Sequence, residues 1–125
     1  MTERKVLVVD DEANITQILE FSIEAEGYQV VSASNGEEAI EKARKEQPNL
    51  IILDIMMPKV DGYEACRALK SNPLTKKIPV ILLTAKGREI DKRLGYEVGA
   101  TDYIVKPFSP SKLIEKVNQY LYTRK

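Results

Sequence analysis

The sequence has a single cysteine, no histidine, no surplus of either charge and no long apolar run. Each absence excludes something. With Cys66 alone no internal disulfide can form, which fits a reducing, intracellular setting. Lys plus Arg and Asp plus Glu stand at 19 each, so the basic surplus of a dedicated nucleic-acid binder is missing. No apolar stretch approaches the length of a membrane span. The N-terminal MTERKVLVVDDE has too short an apolar run, and no small-residue cleavage site, to read as a signal peptide. These points predict a cytoplasmic protein that binds neither membrane nor, directly, nucleic acid. What is present suits one globular unit. A chain of 125 residues can bury a core without metals or disulfides, so residues 1–125 read as a single domain.

Five short runs rich in Val, Ile and Leu recur along the chain: Val6–Val9, Gln29–Ser32, Leu50–Leu53, Val80–Leu83 and Asp102–Val105. The first, third and fourth are apolar at nearly every position, as strands covered on both faces are. The second and fifth are more mixed, as edge strands are. Segments of helical period lie between and after them. The first spans about Glu12–Glu26, with Ile15, Ile18, Leu19 and Ile23 inward and Gly27 as its stop. The second starts at an Asn35 cap with Glu38 three residues on, and the third at an Asp61 cap with Glu64. The fourth runs from about Gly87 to Val98, with Ile90, Leu94 and Val98 inward and Gly99 as its stop. Ser109 caps the fifth, with Pro110 in its first turn. Strict alternation of strand and helix predicts an α/β, doubly wound parallel sheet of five strands with five helices on its two faces.

In such sheets chemistry collects beyond the carboxyl ends of the strands. There the sequence puts Asp10 and Asp11 after the first strand, Asp54 after the third, Thr84 after the fourth and Lys106 after the fifth. Taken singly, an Asp in such a place caps a helix or forms a turn, and a Lys is solvated. Taken jointly, separate strand ends deliver acids, a hydroxyl and a cation to one rim. Clustered carboxylates raise one another's pKa, and a divalent cation relieves this. An all-oxygen set suits Mg²⁺, the usual ion of phosphoryl chemistry. Asp54 is then the natural nucleophile, with Thr84 and Lys106 placed to bind phosphoryl oxygens. Three other readings are weaker. Paired acids as general acid and base lack a substrate-pocket signature and a histidine. A phosphatase with an aspartate nucleophile would carry a second acid where Met56 stands. A flavin nucleotide carrier would need a glycine- and hydroxyl-rich loop where Asp10, Asp11 and Glu12 stand.

Four blocks carry a family resemblance: VLVVDDE (Val6–Glu12), LIILDIMMPKVDG (Leu50–Gly62), PVILLTA (Pro79–Ala85) and GATDYIVKPFSP (Gly99–Pro110). In order and spacing they resemble the receiver domains of bacterial two-component response regulators, over about Lys5–Leu121. The resemblance implies the flavodoxin-like strand order 2-1-3-4-5. It implies that Asp54 accepts a phosphoryl group from a sensor histidine kinase or a phosphotransfer protein. It implies Mg²⁺ held by Asp10, Asp11, Asp54 and the carbonyl of Met56, with Lys106 and Thr84 on the phosphoryl group. Tyr103 matches the switch aromatic that follows Thr84, and Lys106–Pro107 the cis peptide bond of the family. Such a module is not an enzyme beyond its own phosphorylation and dephosphorylation. Its output surface would be the fourth helix, fifth strand and fifth helix, contacting a partner, an output domain or a second copy in a homodimer. Met56 and Lys86, two residues beyond Asp54 and Thr84, predict a long-lived phosphoryl group. Cys66 reads as core, and Lys76 and Lys77 as solvated charge.

Overall fold

The computed structural model describes residues 4–57, 60–85 and 89–121, with the side chains of 89–92 left aside. The strands are β1 (Lys5–Val9), β2 (Gln29–Ala33), β3 (Leu50–Asp54), β4 (Val80–Ala85) and β5 (Asp102–Lys106). The helices are α1 (Ala13–Glu24), α2 (Gly36–Glu46), α3 (Gly62–Ser71), α4 (Glu89–Glu97) and α5 (Pro110–Leu121). Every strand pairing is parallel, in the order β2-β1-β3-β4-β5. The doubly wound arrangement anticipated from the alternation is therefore the one observed.

Burial follows position in the sheet. Central β3 is buried at every residue, whereas β2 and β5 each bury only one. Alternate residues of each strand point to opposite faces, and the core divides accordingly. On one face Val6, Val8, Ile52 and Leu83 pack against Leu19 and Ile23 of α1 and Leu113 and Val117 of α5. On the other Leu7, Leu53 and Leu82 pack against Ala39 and Ala43 of α2, Cys66 and Leu69 of α3, and Val98 just after α4. Cys66 is core, as anticipated, and burial pushes its thiol pKa up to about 11.

The anticipated caps form. Asn35 Oδ1 accepts the Glu38 N–H at 2.8 Å, Asp61 Oδ1 the Glu64 N–H at 2.9 Å, and Ser109 Oγ the Lys112 N–H at 3.2 Å. Glu38 reaches back one residue further than a capping box requires and accepts from Ser34 N–H. Gly27 and Gly99 both have positive φ beyond their helix ends.

Three expectations need correction. The strands extend further than their apolar runs, so Asp54, Thr84 and Lys106 are strand residues rather than residues after strands. Main-chain ladder bonds do not require apolar side chains, so hydropathy stops short of them. Ile18 is 46% exposed, because the inward stripe of α1 runs through Ile15, Leu19 and Ile23 at intervals of four. Leu94 is 38% exposed; α4 turns Gly95 toward the sheet instead, against Leu82. Gly87, Lys86 and the Ile90 side chain lie outside the described residues.

Candidate functional site

Register fixes what meets at the carboxyl edge of the sheet. Asp54 lies opposite Leu83, Thr84 opposite Val105, and Lys106 opposite Ala85. Asp10 continues the line of β1, its N–H donating to the Ala33 carbonyl at 3.2 Å. The rim residues expected from sequence are thus brought together.

Asp10, Asp11 and Asp54 each offer a carboxylate oxygen, and these oxygens lie within 4.8 Å of one another. Asp10 and Asp54 are buried, and Asp11 is exposed. Lys106 Nζ stands 3.3 Å from Asp54 Oδ2 and 3.4 Å from Asp10 Oδ2. One further oxygen of each buried carboxylate is held by main chain: Glu12 N–H donates to Asp10 Oδ1 at 2.9 Å, and Met56 N–H to Asp54 Oδ1 at 3.3 Å. A cleft of about 380 Å³ opens beside Asp10 and Asp11, between the first turn of α1 and the turn after β2.

The charges do not balance. Among the described residues one ammonium, Lys106, pairs with two of the three clustered carboxylates, Asp10 and Asp54. Burial, and then the neighbouring Asp10, push the Asp54 pKa up to about 6 against the pull of Lys106. Burial alone would lower the Lys106 pKa, but Asp54 and Asp10 outweigh it and raise it. The donor set is oxygen-only, negatively charged and open on the Asp11 side, which fits a hard divalent cation.

Thr84 supplies the hydroxyl. It is 2% exposed, and its Oγ1 has no hydrogen-bond partner among the described residues. A buried hydroxyl left in this state costs about 1–3 kcal/mol. Tyr103 is half-buried on β5 and packs edge-to-face on Tyr96 of α4, with ring centroids 5.9 Å apart. The Met56 side chain is 65% exposed, whereas Met57 is buried. The Lys106–Pro107 peptide bond is cis, as anticipated.

Sequence reasoning missed two features here. Nothing local in the sequence marks Tyr96, since its contact with Tyr103 crosses between elements. Asp102 served only as the start of a strand, yet its carboxylate accepts from Lys116 Nζ and from Tyr120 Oη, each at 2.8 Å. A groove of about 640 Å³ lies alongside, lined by Tyr96, Tyr103, Phe108, Lys112 and Lys116.

Comparison with known proteins matches residues 6–118 to the family model described as the response regulator receiver domain. The chain is 49% identical over 118 residues to the alkaline phosphatase synthesis transcriptional regulatory protein PhoP of Bacillus subtilis. That match covers 94% of this chain and 48% of PhoP, so the chain spans about half the length of this relative. Among solved structures, a response regulator from Chloroflexus aurantiacus superposes with a TM-score of 0.92 at 38% identity, covering 98% of this chain and all of that one. The receiver domain of the Pseudomonas aeruginosa sensor histidine kinase PA1611, solved with magnesium in its active-site cleft, superposes with a TM-score of 0.89 at 25% identity. Coverage there is 98% of this chain and 100% of that one.

Proposed function

Because this chain belongs to the response regulator receiver domain family of two-component signalling, we propose that Asp54 is its phosphoacceptor and that phosphorylation switches the face formed by α4, β5 and α5. One observation carries the proposal: among the described residues a buried carboxylate shares its rim with two more acids, the Lys106 ammonium and a hydroxyl without a partner.

The donor would be the phosphohistidine of a sensor histidine kinase or a phosphotransfer protein. A carboxylate oxygen of Asp54 attacks phosphorus, an O–P bond forms, the N–P bond breaks, and the imidazole leaves. The product is an acyl phosphate. Asp10, Asp11, Asp54 and the Met56 carbonyl would hold Mg²⁺, which supplies charge neutralisation for the phosphoryl oxygens. The solved PA1611 receiver domain, with its magnesium, supports this assignment. Lys106 exchanges part of its contact with Asp54 for a phosphoryl oxygen. Thr84 turns its hydroxyl to the same group and gains the hydrogen bond it lacks. The space that Thr84 leaves admits the ring of Tyr103, and the groove beside Tyr96 changes shape. That groove is where an output partner, or a second copy of the chain, would read the state. The domain is a signalling module, and its catalysis extends only to its own phosphorylation and dephosphorylation.

The test is incubation with Mg²⁺ and a small phosphodonor, followed by intact-mass measurement. Wild type gains one phosphoryl group, its formation is prevented by EDTA, and the group formed is cleaved by hydroxylamine. Asp54→Asn gains none; labelling of that variant at the wild-type rate would overturn the assignment.

A further inference from the structure

Two buried glycines far apart in sequence, Gly36 and Gly62, press on the connection that leaves β3. This connection begins at Asp54 and carries Met56. A Cβ on Gly62, the first residue of α3, would stand 2.5 Å from the Asp54 carbonyl oxygen and 2.6 Å from Ile55 Cα. A Cβ on Gly36, the first residue of α2, would overlap the Val60 carbonyl oxygen and stand 2.8 Å from Val60 Cβ and Cγ1. Most of these obstacles are backbone atoms, which cannot swing aside as a flexible side chain would.

The described residues of this connection, 55–57 and 60–61, are otherwise tied down. The Ile55 carbonyl accepts from Met57 N–H at 3.1 Å and from Gly62 N–H at 3.0 Å, so its two ends are drawn together. Ile55 and Met57 are buried in the cluster that includes Ala39 and Ala43 of α2, and Val60 packs against it. A push at Val60 therefore has little room to dissipate in this connection. The Met56 N–H lies on it, directly bonded to Asp54 Oδ1.

We propose that Gly36 is a positioning residue for the phosphorylation site: the absence of a side chain at this first residue of α2 sets the height of Val60 and so holds Met56 and the Asp54 carboxylate in place for the cation. Gly36 touches no reacting atom and carries no polar side chain, and its effect passes from Val60 to Gly62 and through the Gly62 N–H bond to the Ile55 carbonyl, next to Met56. The inference rests on the Mg²⁺ reading of the proposed function.

The experiment is a Mg²⁺ titration of the full chain, followed by the NMR shifts of the Ile55, Met56 and Met57 amides, in wild type, Gly36→Ala and Ala43→Gly. Gly36→Ala raises the Mg²⁺ dissociation constant roughly tenfold or more, as loss of a group that orients metal ligands does. Ala43→Gly weakens the same helix two turns away and leaves the constant within about twofold, even where its Tm falls further. Gly36→Ala that binds Mg²⁺ as wild type does overturns the inference. So does a loss in Gly36→Ala matched by Ala43→Gly, since that would be a general effect of a weakened α2. If Gly36→Ala does not fold, Val60→Ala trims the other side of the same contact, and unchanged Mg²⁺ binding in it is equally decisive against the inference. Wild type separates the two readings: absence of Mg²⁺-dependent shifts there overturns the proposed function and this inference with it.

Discussion

Among the described side chains, Thr84 carries the buried polar atom left without a hydrogen-bond partner. Its hydroxyl is buried at the rim, and no group among the described residues accepts or donates to it. Replacing it with an isosteric methyl removes that penalty. Thr84→Val is expected to raise the stability of the resting domain by about 1 kcal/mol in urea unfolding. It is also expected to abolish the response of the Tyr103 amide to beryllofluoride with Mg²⁺. A variant less stable than wild type would show that the hydroxyl is already satisfied. The sequence was enough to place Thr84 at a strand end on the rim that carries the acids. Its unpaired state was not legible, because that depends on every atom packed around it, including residues from β5.

At the scale of elements, the telling joint is between β5 and α5. Asp102 at the start of β5 accepts the Tyr103 N–H, the Lys116 ammonium and the Tyr120 hydroxyl, each at 2.8 Å. Burial alone would raise its pKa, but these donors outweigh burial and hold the carboxyl below its ordinary value. Burial and the hydrogen bond to Asp102 push the Tyr120 pKa up to about 12. A folded-state pKa below the unfolded one means that the joint contributes stability above the unfolded value of about 3.9. That contribution is lost as pH falls through the lower folded value. In Asp102→Asn, Tm is therefore expected to be lower at neutral pH and to fall less steeply with acid than in wild type. Parallel acid limbs in the two proteins would refute the assignment. This joint escaped the sequence because its partners lie 14 and 18 residues away, on different turns of a helix. Periodicity likewise misjudged Ile18 and Leu94: it marks an apolar face but does not say how wide a stripe the sheet will cover.

At the scale of the whole molecule, one sheet serves two apolar layers. Leu113 belongs to the layer of α1 and α5, and Leu69 to the layer of α2 and α3; both are fully buried. The strands between them alternate faces, so neither layer can melt without uncovering the other. Leu113→Ala and Leu69→Ala are each expected to cost about 2–5 kcal/mol. Each should shift a single cooperative transition seen alike by circular dichroism and by tyrosine fluorescence. Two separated transitions in either variant would mean that the layers fold independently. The site benefits from the same arrangement, since Asp54 stands on the fully buried central strand β3 and Asp10 directly follows β1.

The sequence by itself determined what local rules can reach. Apolar runs and helical periods set the alternation of elements. Asn35, Asp61 and Ser109 cap helices through bonds only three residues long. The composition of the strand ends marked Asp10, Asp11, Asp54, Thr84 and Lys106 as one chemical set. Tertiary structure alone decided the rest. It decided that Lys106 stands between Asp10, 96 residues away in sequence, and Asp54, that Thr84 has no partner among the described residues, and that Gly36 meets Val60 rather than open space. These are distances between elements, set by strand order, register and close packing. No pattern within a few residues of any of them carries that information.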